Sequence, residues 1–179
     1  MYENFGEYDS AEEINQQAEL LFNCGDRSGL YRLAAENGIP RETADAYADC
    51  ETDVLCDVYD AALGKIDVEA SDLGCEEILE DWAEYVKACI MDSEQLARNV
   101  RKREYSLKGC IAKLLIWSIQ HMEPVDQEII QEAKKAVKKQ DIKIKGFQIN
   151  YLDRTALGIP GMARAKRMIR AYYGGEEDA

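Results

Sequence analysis

The stretch EEILEDWAEYVKAC, residues Glu76–Cys89, decides the fold class. Ile78, Trp82, Tyr85, Val86 and Cys89 recur at three- and four-residue steps and gather on one helical face. Glu76, Glu77, Glu80, Asp81 and Glu84 take the opposite face. The same period runs outward in both directions. Upstream, Ser10 followed by Glu13 reads as a capping box that opens a helix to about Asn23. Asp26 caps a second helix ending at Asn37-Gly38, and Pro40 suits the first turn of a short third carrying Ala44 and Tyr47. Thr52 is expected to cap a fourth, with Val54, Leu55, Val58, Tyr59 and Ala62 on one face, Gly64 as terminator and a loop over 67–74.

Downstream, Asp92 or Ser93 caps a helix that ends in the basic run Arg101-Lys102-Arg103. Ser106 opens a helix with Leu107, Cys110, Ile111, Leu114, Leu115, Ile116, Trp117 and Ile119. A helix apolar nearly all round is a buried one, so this is the expected central core element. Pro124 separates it from a helix with Ile129, Ile130, Ala133 and Val137 inward and Lys134, Lys135, Lys138 and Lys139 outward. Over 142–151 the period changes to two, through Ile142, Ile144, Phe147, Ile149 and Tyr151, with a phase slip at Gly146. A turn at Gly158–Gly161 leads to the last helix, which Gly174-Gly175 ends. The expectation is a single, mostly α, compact multi-helix domain over 1–179, with one small β-hairpin or short strand pair near residues 142–151.

The chain has 179 residues, 46% of them hydrophobic, enough apolar matter for a real core. No run approaches the ~20 apolar residues that span a bilayer, so no membrane is expected as a partner. The start, Met1 to Glu7, has neither a basic nor an apolar signal region, and the expected compartment is the cytoplasm. Six cysteines (Cys24, Cys50, Cys56, Cys75, Cys89, Cys110) include no C-x-x-C pair. The one histidine, His121, completes no zinc cluster of usual spacing. The thiols are expected to be reduced and structural.

Chemistry-bearing patterns are sparse. His121 lies near Ser118 on one helix, but no positioned acid follows. Phosphate-cradling glycine loops and H-E-x-x-H are missing from the sequence. No enzyme activity, metal or cofactor is expected on these grounds.

Charge is more informative. The net charge is -13, but it divides: residues 1–95 hold 25 acidic and 5 basic side chains, and residues 96–179 hold 10 acidic and 17 basic. A split of this size suits two surfaces with different partners, or two halves that attract each other within one fold. Asp45, Asp49, Asp53, Asp57 and Asp60 recur at three- or four-residue steps. With Glu76, Glu77, Glu80, Asp81 and Glu84 they form a surface able to mimic a phosphate backbone, or else an ordinary solvated face. Asp49, Asp53, Asp57, Glu77, Glu80 and Glu84 are the candidate partner-binding residues. On the last helix Met162, Ala165, Met168, Ile169 and Tyr172 form one arc, and Arg164, Lys166, Arg167 and Arg170 the opposite one. These four cations, extended by Lys134, Lys138 and neighbouring lysines, are the candidate nucleic-acid-binding residues. A solubilising basic face is the alternative.

Three phrases then carry a resemblance: Tyr2-Glu3-Asn4-Phe5-Gly6-Glu7, Leu33-Ala34-Ala35-Glu36-Asn37-Gly38-Ile39 and Arg167-Met168-Ile169-Arg170-Ala171-Tyr172-Tyr173. Together they resemble small acidic proteins of phages and conjugative elements of gut Firmicutes, a group that includes anti-CRISPR inhibitors of type II nucleases (Cas9). The phrases mark family identity and carry no catalytic meaning. The resemblance implies a stoichiometric inhibitor of guide-loaded Cas9 that also touches double-stranded DNA in one version. A DNA-binding accessory protein of a mobile element is the alternative. The oligomeric state stays open, a homodimer included.

Overall fold

The computed structural model describes residues 2–139 and 155–174, with the side chains of Lys138 and Lys139 excepted. The fold is mostly α with one small antiparallel strand pair. Among the described residues nine helices occur in the order α1 Ala11–Asn23, α2 Arg27–Glu36, α3 Arg41–Ala48, α4 Val58–Leu73, α5 Ile78–Asp92, α6 Glu94–Arg101, α7 Leu107–Gln120, α8 Gln127–Lys139 and α9 Met162–Gly174. Two-residue strands β1 Glu123–Pro124 and β2 Ala156–Leu157 pair in antiparallel register, Glu123 opposite Leu157. The strand pair expected near 142–151 lies outside the described residues.

The chain divides into two compact units, residues 1–113 with 162–179, and residues 114–161. In the first, α1, α2 and α3 close over Ile14, Ala18, Leu30, Leu33, Ala44 and Leu55. Helix α4 packs on α5 and α6, and α9 packs on both of these. The caps explain why the helices start where they do. Ser10 Oγ accepts from Glu13 N, and Glu13 reaches back to the Asp9 amide at 2.8 Å, one residue beyond the position a standard box uses. Asp26 accepts from Gly29 N, and Ser93 caps α6.

Helix α4 departs from the expectation. It begins at Val58 under a reciprocal capping box of Asp57 and Asp60, and runs through residues 67–73 to a left-handed Gly74. Thr52 instead bonds the Val54 carbonyl. The reason lies on α1: Asn15 accepts from Leu55 N and Cys56 N and donates to Cys56 O at 2.8 Å, which holds this segment out of a helix. Leu55 is thereby fully buried and Val54 exposed. Gly64 does not end the helix. It sits mid-α4 because an added Cβ would lie 2.2 Å from Asn37 O, where the α2–α3 turn crosses.

Helix α7, whose first seven residues belong to the first unit, is not the all-round buried helix its composition suggests. Leu114 is buried, but Leu115, Ile116 and Ile119 are exposed. On α8 Ile130 is buried, whereas Ile129, expected inward, is 62% exposed. Gly158 lies against the end of α7, where a Cβ would meet Ser118 O at 2.1 Å.

Candidate functional site

Glu80, Asp81 and Glu84 lie on the first two turns of α5, whereas Glu76 and Glu77, expected on the same helix, fall just before its start at Ile78; all five are exposed. Trp82, Ala83, Val86, Cys89 and Ile90 bury the other face, so the amphipathic reading of this segment carries over to the structure. Ile78, expected inward, is 36% exposed at the edge, and Tyr85 is half-buried. Carboxylates in a first helical turn are favoured by the helix dipole. Glu84 shares Lys87 with Asp67 on α4, at 2.7 and 2.5 Å. Glu77 precedes the helix with φ 54°, a left-handed conformation that few residues other than glycine adopt.

The other half of the expected acidic surface is dispersed. Asp45 lies on α3 and accepts from the Tyr31 hydroxyl at 2.6 Å, and Asp49 beyond α3 pairs with Arg27 at 2.5 Å. Asp53 lies in the loop, and Asp57 and Asp60 are spent on the α4 cap. The even spacing that suggested a ladder spans a helix end, a loop and a cap, so these side chains share no helical face. Asp49, Asp53 and Asp57 therefore do not join Glu77, Glu80 and Glu84 on one helical surface.

On α9 the buried arc is Ala165, Met168, Ile169 and Tyr173. Tyr173 replaces Tyr172, which is half-buried, and Met162 is exposed, because the helix is rotated slightly from the expected arc. Arg164, Arg167 and Arg170 are exposed and Lys166 is half-buried. Arg170 pairs with Asp92 at the end of α5 at 2.7 Å. Two more contacts join the sequence's basic and acidic halves: Arg98 with Glu12 at 3.0 Å, and Arg103 with Asp9 at 2.6 Å. The Arg103 guanidinium holds the Asp9 carboxyl down to about 2. Part of the charge division is thus satisfied internally. The division at Gln95 falls inside α6, and residues 114–161 carry 7 basic and 6 acidic side chains, close to neutral. Lys134 and Lys135 lie on α8, where Lys135 pairs with Glu132 at 2.5 Å, while the Lys138 side chain lies outside the described residues.

A cluster that the sequence reading missed lies within the first unit. Lys65 is fully buried. Its Nζ pairs with Glu7 at 2.8 Å, donates to the carbonyls of Lys102 and Tyr105 at 2.7 and 2.8 Å, and lies 3.8 Å from Glu69. Glu69 accepts from the Leu107 amide at the start of α7, and burial raises its carboxyl above the usual range. Arg101, read as the start of the basic run that ends α6, is 1% exposed and donates to Asn37 at 2.7 Å. The usable signal was Lys65 and Glu69 four residues apart on the helical face that carries Ala61, Ala62 and Ile66. A cavity of about 300 Å3 adjoins them, lined by Glu7, Glu69, Asp72, Leu73, Arg103, Tyr105, Ser106 and Lys108. Glu69 is engaged as counter-ion and helix cap, so the cluster organises α4, α6 and α7 around one cation.

His121 is exposed and stacks on Trp117 at 4.1 Å, with Nδ1 2.9 Å from Trp117 O. Ser118 bonds the Leu114 carbonyl, so the two side chains are engaged separately. All six cysteines are free: Cys56, Cys89 and Cys110 are buried, Cys24 and Cys50 exposed, and Cys75 between. Burial pushes the Cys56 and Cys110 thiols up to about 12. Among the described residues no three His, Cys, Asp or Glu side chains group as a metal site, and no helix is long and apolar enough to cross a membrane. No protein-family model, curated protein or solved structure matches the chain.

Proposed function

We propose that the protein is a stoichiometric, non-enzymatic inhibitor of guide-loaded Cas9 in which the acidic opening of α5 occupies a cationic nucleic-acid groove. The observation that carries this reading is the exposed set Glu80, Asp81 and Glu84 on the first turns of amphipathic α5, with the exposed Glu76 and Glu77 just before it. Closely spaced carboxylates on a rigid helix present a run of negative charge to a surface built for phosphates, and steer association at low salt. The resemblance to anti-CRISPR proteins of mobile elements supplies the choice of partner. The test is DNA cleavage by purified Cas9 and guide RNA, titrated with the protein and with its Glu77→Lys, Glu80→Lys, Glu84→Lys variant. The reading expects inhibition to saturate at a fixed molar ratio and the variant to lose it. Complete inhibition by a small fraction of the Cas9 concentration would instead mean turnover.

A second reading, contact with double-stranded DNA, is favoured by the exposed Arg164, Arg167 and Arg170 on α9. Four phosphate contacts, Lys166 included, give a log–log salt slope near roughly -3.6 on duplex DNA. Arg170 is shared with Asp92, so a slope nearer roughly -2.7 is expected if that ion pair persists. Replacing the four cations by Gln should flatten it. An unchanged slope would remove this face from the DNA contact.

A further inference from the structure

The cavity beside the Lys65 cluster is lined entirely from the first unit, by the N-terminal segment, α4, the stretch that joins α6 to α7, and the first turn of α7. Its volume of about 300 Å3 lies at the lower end of the range that takes small ligands. The lining is sorted by element. Glu7, Glu69 and Asp72, from the N-terminal segment and α4, bring negative charge. Arg103, Ser106 and Lys108, from the α6–α7 connection and the first turn of α7, bring positive charge and hydrogen-bond donors. Leu73, 44% exposed, and Tyr105 complete it. The Tyr105 ring packs against those of Tyr172 and Tyr173, with centroids 5.6 and 5.7 Å away, which holds this residue in place.

The hydrogen bonds of the fold leave several of these groups with capacity to spare. Lys65 engages Oε1 of Glu7, and among the described residues Oε2 has no hydrogen bond. Arg103 spends Nε and Nη2 on Asp9, leaving Nη1 unspent among the described residues. Ser106 Oγ accepts from Gly109 N at 3.1 Å and keeps its own proton to donate. Lys108 is exposed and forms no ion pair among the described residues. A purely anionic occupant would meet three carboxylates, and a purely cationic one would meet Arg103 and Lys108. An occupant that carries both charges satisfies both sets, with an ammonium at Glu7 and Asp72 and a carboxylate at Arg103, Ser106 and Lys108. Its apolar part then covers Leu73. We infer that the cavity binds a free α-amino acid with an apolar side chain, held through its ammonium and carboxylate groups.

Thermal unfolding of the full chain, titrated with L-leucine to about 10 mM, tests it, because a ligand that binds only the folded state raises Tm with its concentration. The expected result is a progressive rise. N-acetyl-leucine lacks the ammonium and leucinamide lacks the carboxylate, and each should bind about tenfold or more weakly, the cost of losing a charged hydrogen bond. Lys108→Gln should weaken leucine binding by a similar factor. Lys113→Gln, the same change of charge on α7 outside the lining, should leave it unchanged. Both lysines are exposed, so neither substitution threatens the fold. No rise in Tm up to about 10 mM leucine, N-acetyl-leucine or inorganic phosphate binding as tightly as leucine, or a Lys108→Gln variant that binds leucine as the parent does would each overturn the inference.

Discussion

Replacing Gly64 with alanine sets two opposing effects against each other. In an unobstructed helix interior the change stabilises by about 1 kcal/mol, because alanine has the higher helix propensity. Here the new Cβ would meet Asn37 O at 2.2 Å and the Gly38 carbonyl group at 3.0 Å. These are backbone atoms, so no side-chain rotation relieves the contact, and α4 must move by about 1 Å from the α2–α3 turn to reach ordinary packing distance. The move also disturbs Asn37, which holds the buried Arg101 at 2.7 Å. Overpacking of this kind costs about 1–3 kcal/mol, and weakening a buried charged hydrogen bond costs about 1.5–3 more. The net expectation is a loss of about 2 kcal/mol or more, a fall in Tm of roughly 4–8 °C for a chain of this length. Thermal and urea unfolding followed by far-ultraviolet circular dichroism measure it. Gly161→Ala serves as the control, because its Cβ would meet nothing within 4 Å. A Gly64→Ala variant as stable as the parent, or stabilised by about 1 kcal/mol, would refute the close crossing and return Gly64 to an ordinary helical position.

Other consequences follow from the buried ions and thiols. Lys65→Met leaves the buried Glu69 without its cation and should cost about 3–5 kcal/mol; adding Glu69→Gln should recover part of this in urea unfolding. Because burial already raises the Glu69 carboxyl, the Lys65→Met penalty should grow as pH rises through its folded pKa, and near-equal penalties at acidic and neutral pH would count against the cluster. At alkaline pH, Cys56 and Cys110 stay protonated in the fold up to about 12, whereas the unfolded thiols ionise from about 9. Stability from these two groups is therefore complete below pH 9 and lost as pH rises towards 12. The loss is of order 1.4 kcal/mol per unit for each thiol, and Cys56→Ser with Cys110→Ser should blunt the dependence seen in denaturation at pH 8 and 10.5.

Much of the helical layout was legible because its determinants are local. Ser10, Asp26 and Ser93 are cap residues followed by the right periodicity, and the sidedness of residues 78–89 carries over with small edge shifts at Ile78 and Tyr85, the helix starting two residues after Glu76. The start of α4 was not legible, since Thr52 and Asp57 are both good caps and the choice between them is made by Asn15, about forty residues away. Gly64 reads as punctuation until the α2–α3 turn is placed beside it. Lys65 drew no reading and Arg101 read only as part of a basic run at a helix end, because a sequence does not show the carbonyls and carboxylates that fold around them. On α7 composition alone could not distinguish a helix buried all round from one whose Leu115, Ile116 and Ile119 stay exposed. The candidate surfaces fared in the same way. The cations of α9 and the acids of α5 follow from one helical period each, whereas the aspartates at 45, 49, 53, 57 and 60 needed a continuous helix that the Asn15 contacts interrupt.

The most direct test of the proposed inhibition is the residual cleavage activity of a fixed amount of guide-loaded Cas9 as this protein is added. The proposal predicts a near-linear fall to a baseline at a fixed molar ratio at low salt, and no fall with the Glu77→Lys, Glu80→Lys, Glu84→Lys variant, whose exposed substitutions leave the buried face of α5 intact. Unchanged cleavage at about tenfold molar excess, hundreds of times a nanomolar Kd at micromolar concentrations, or equal inhibition by the folded variant, would contradict it.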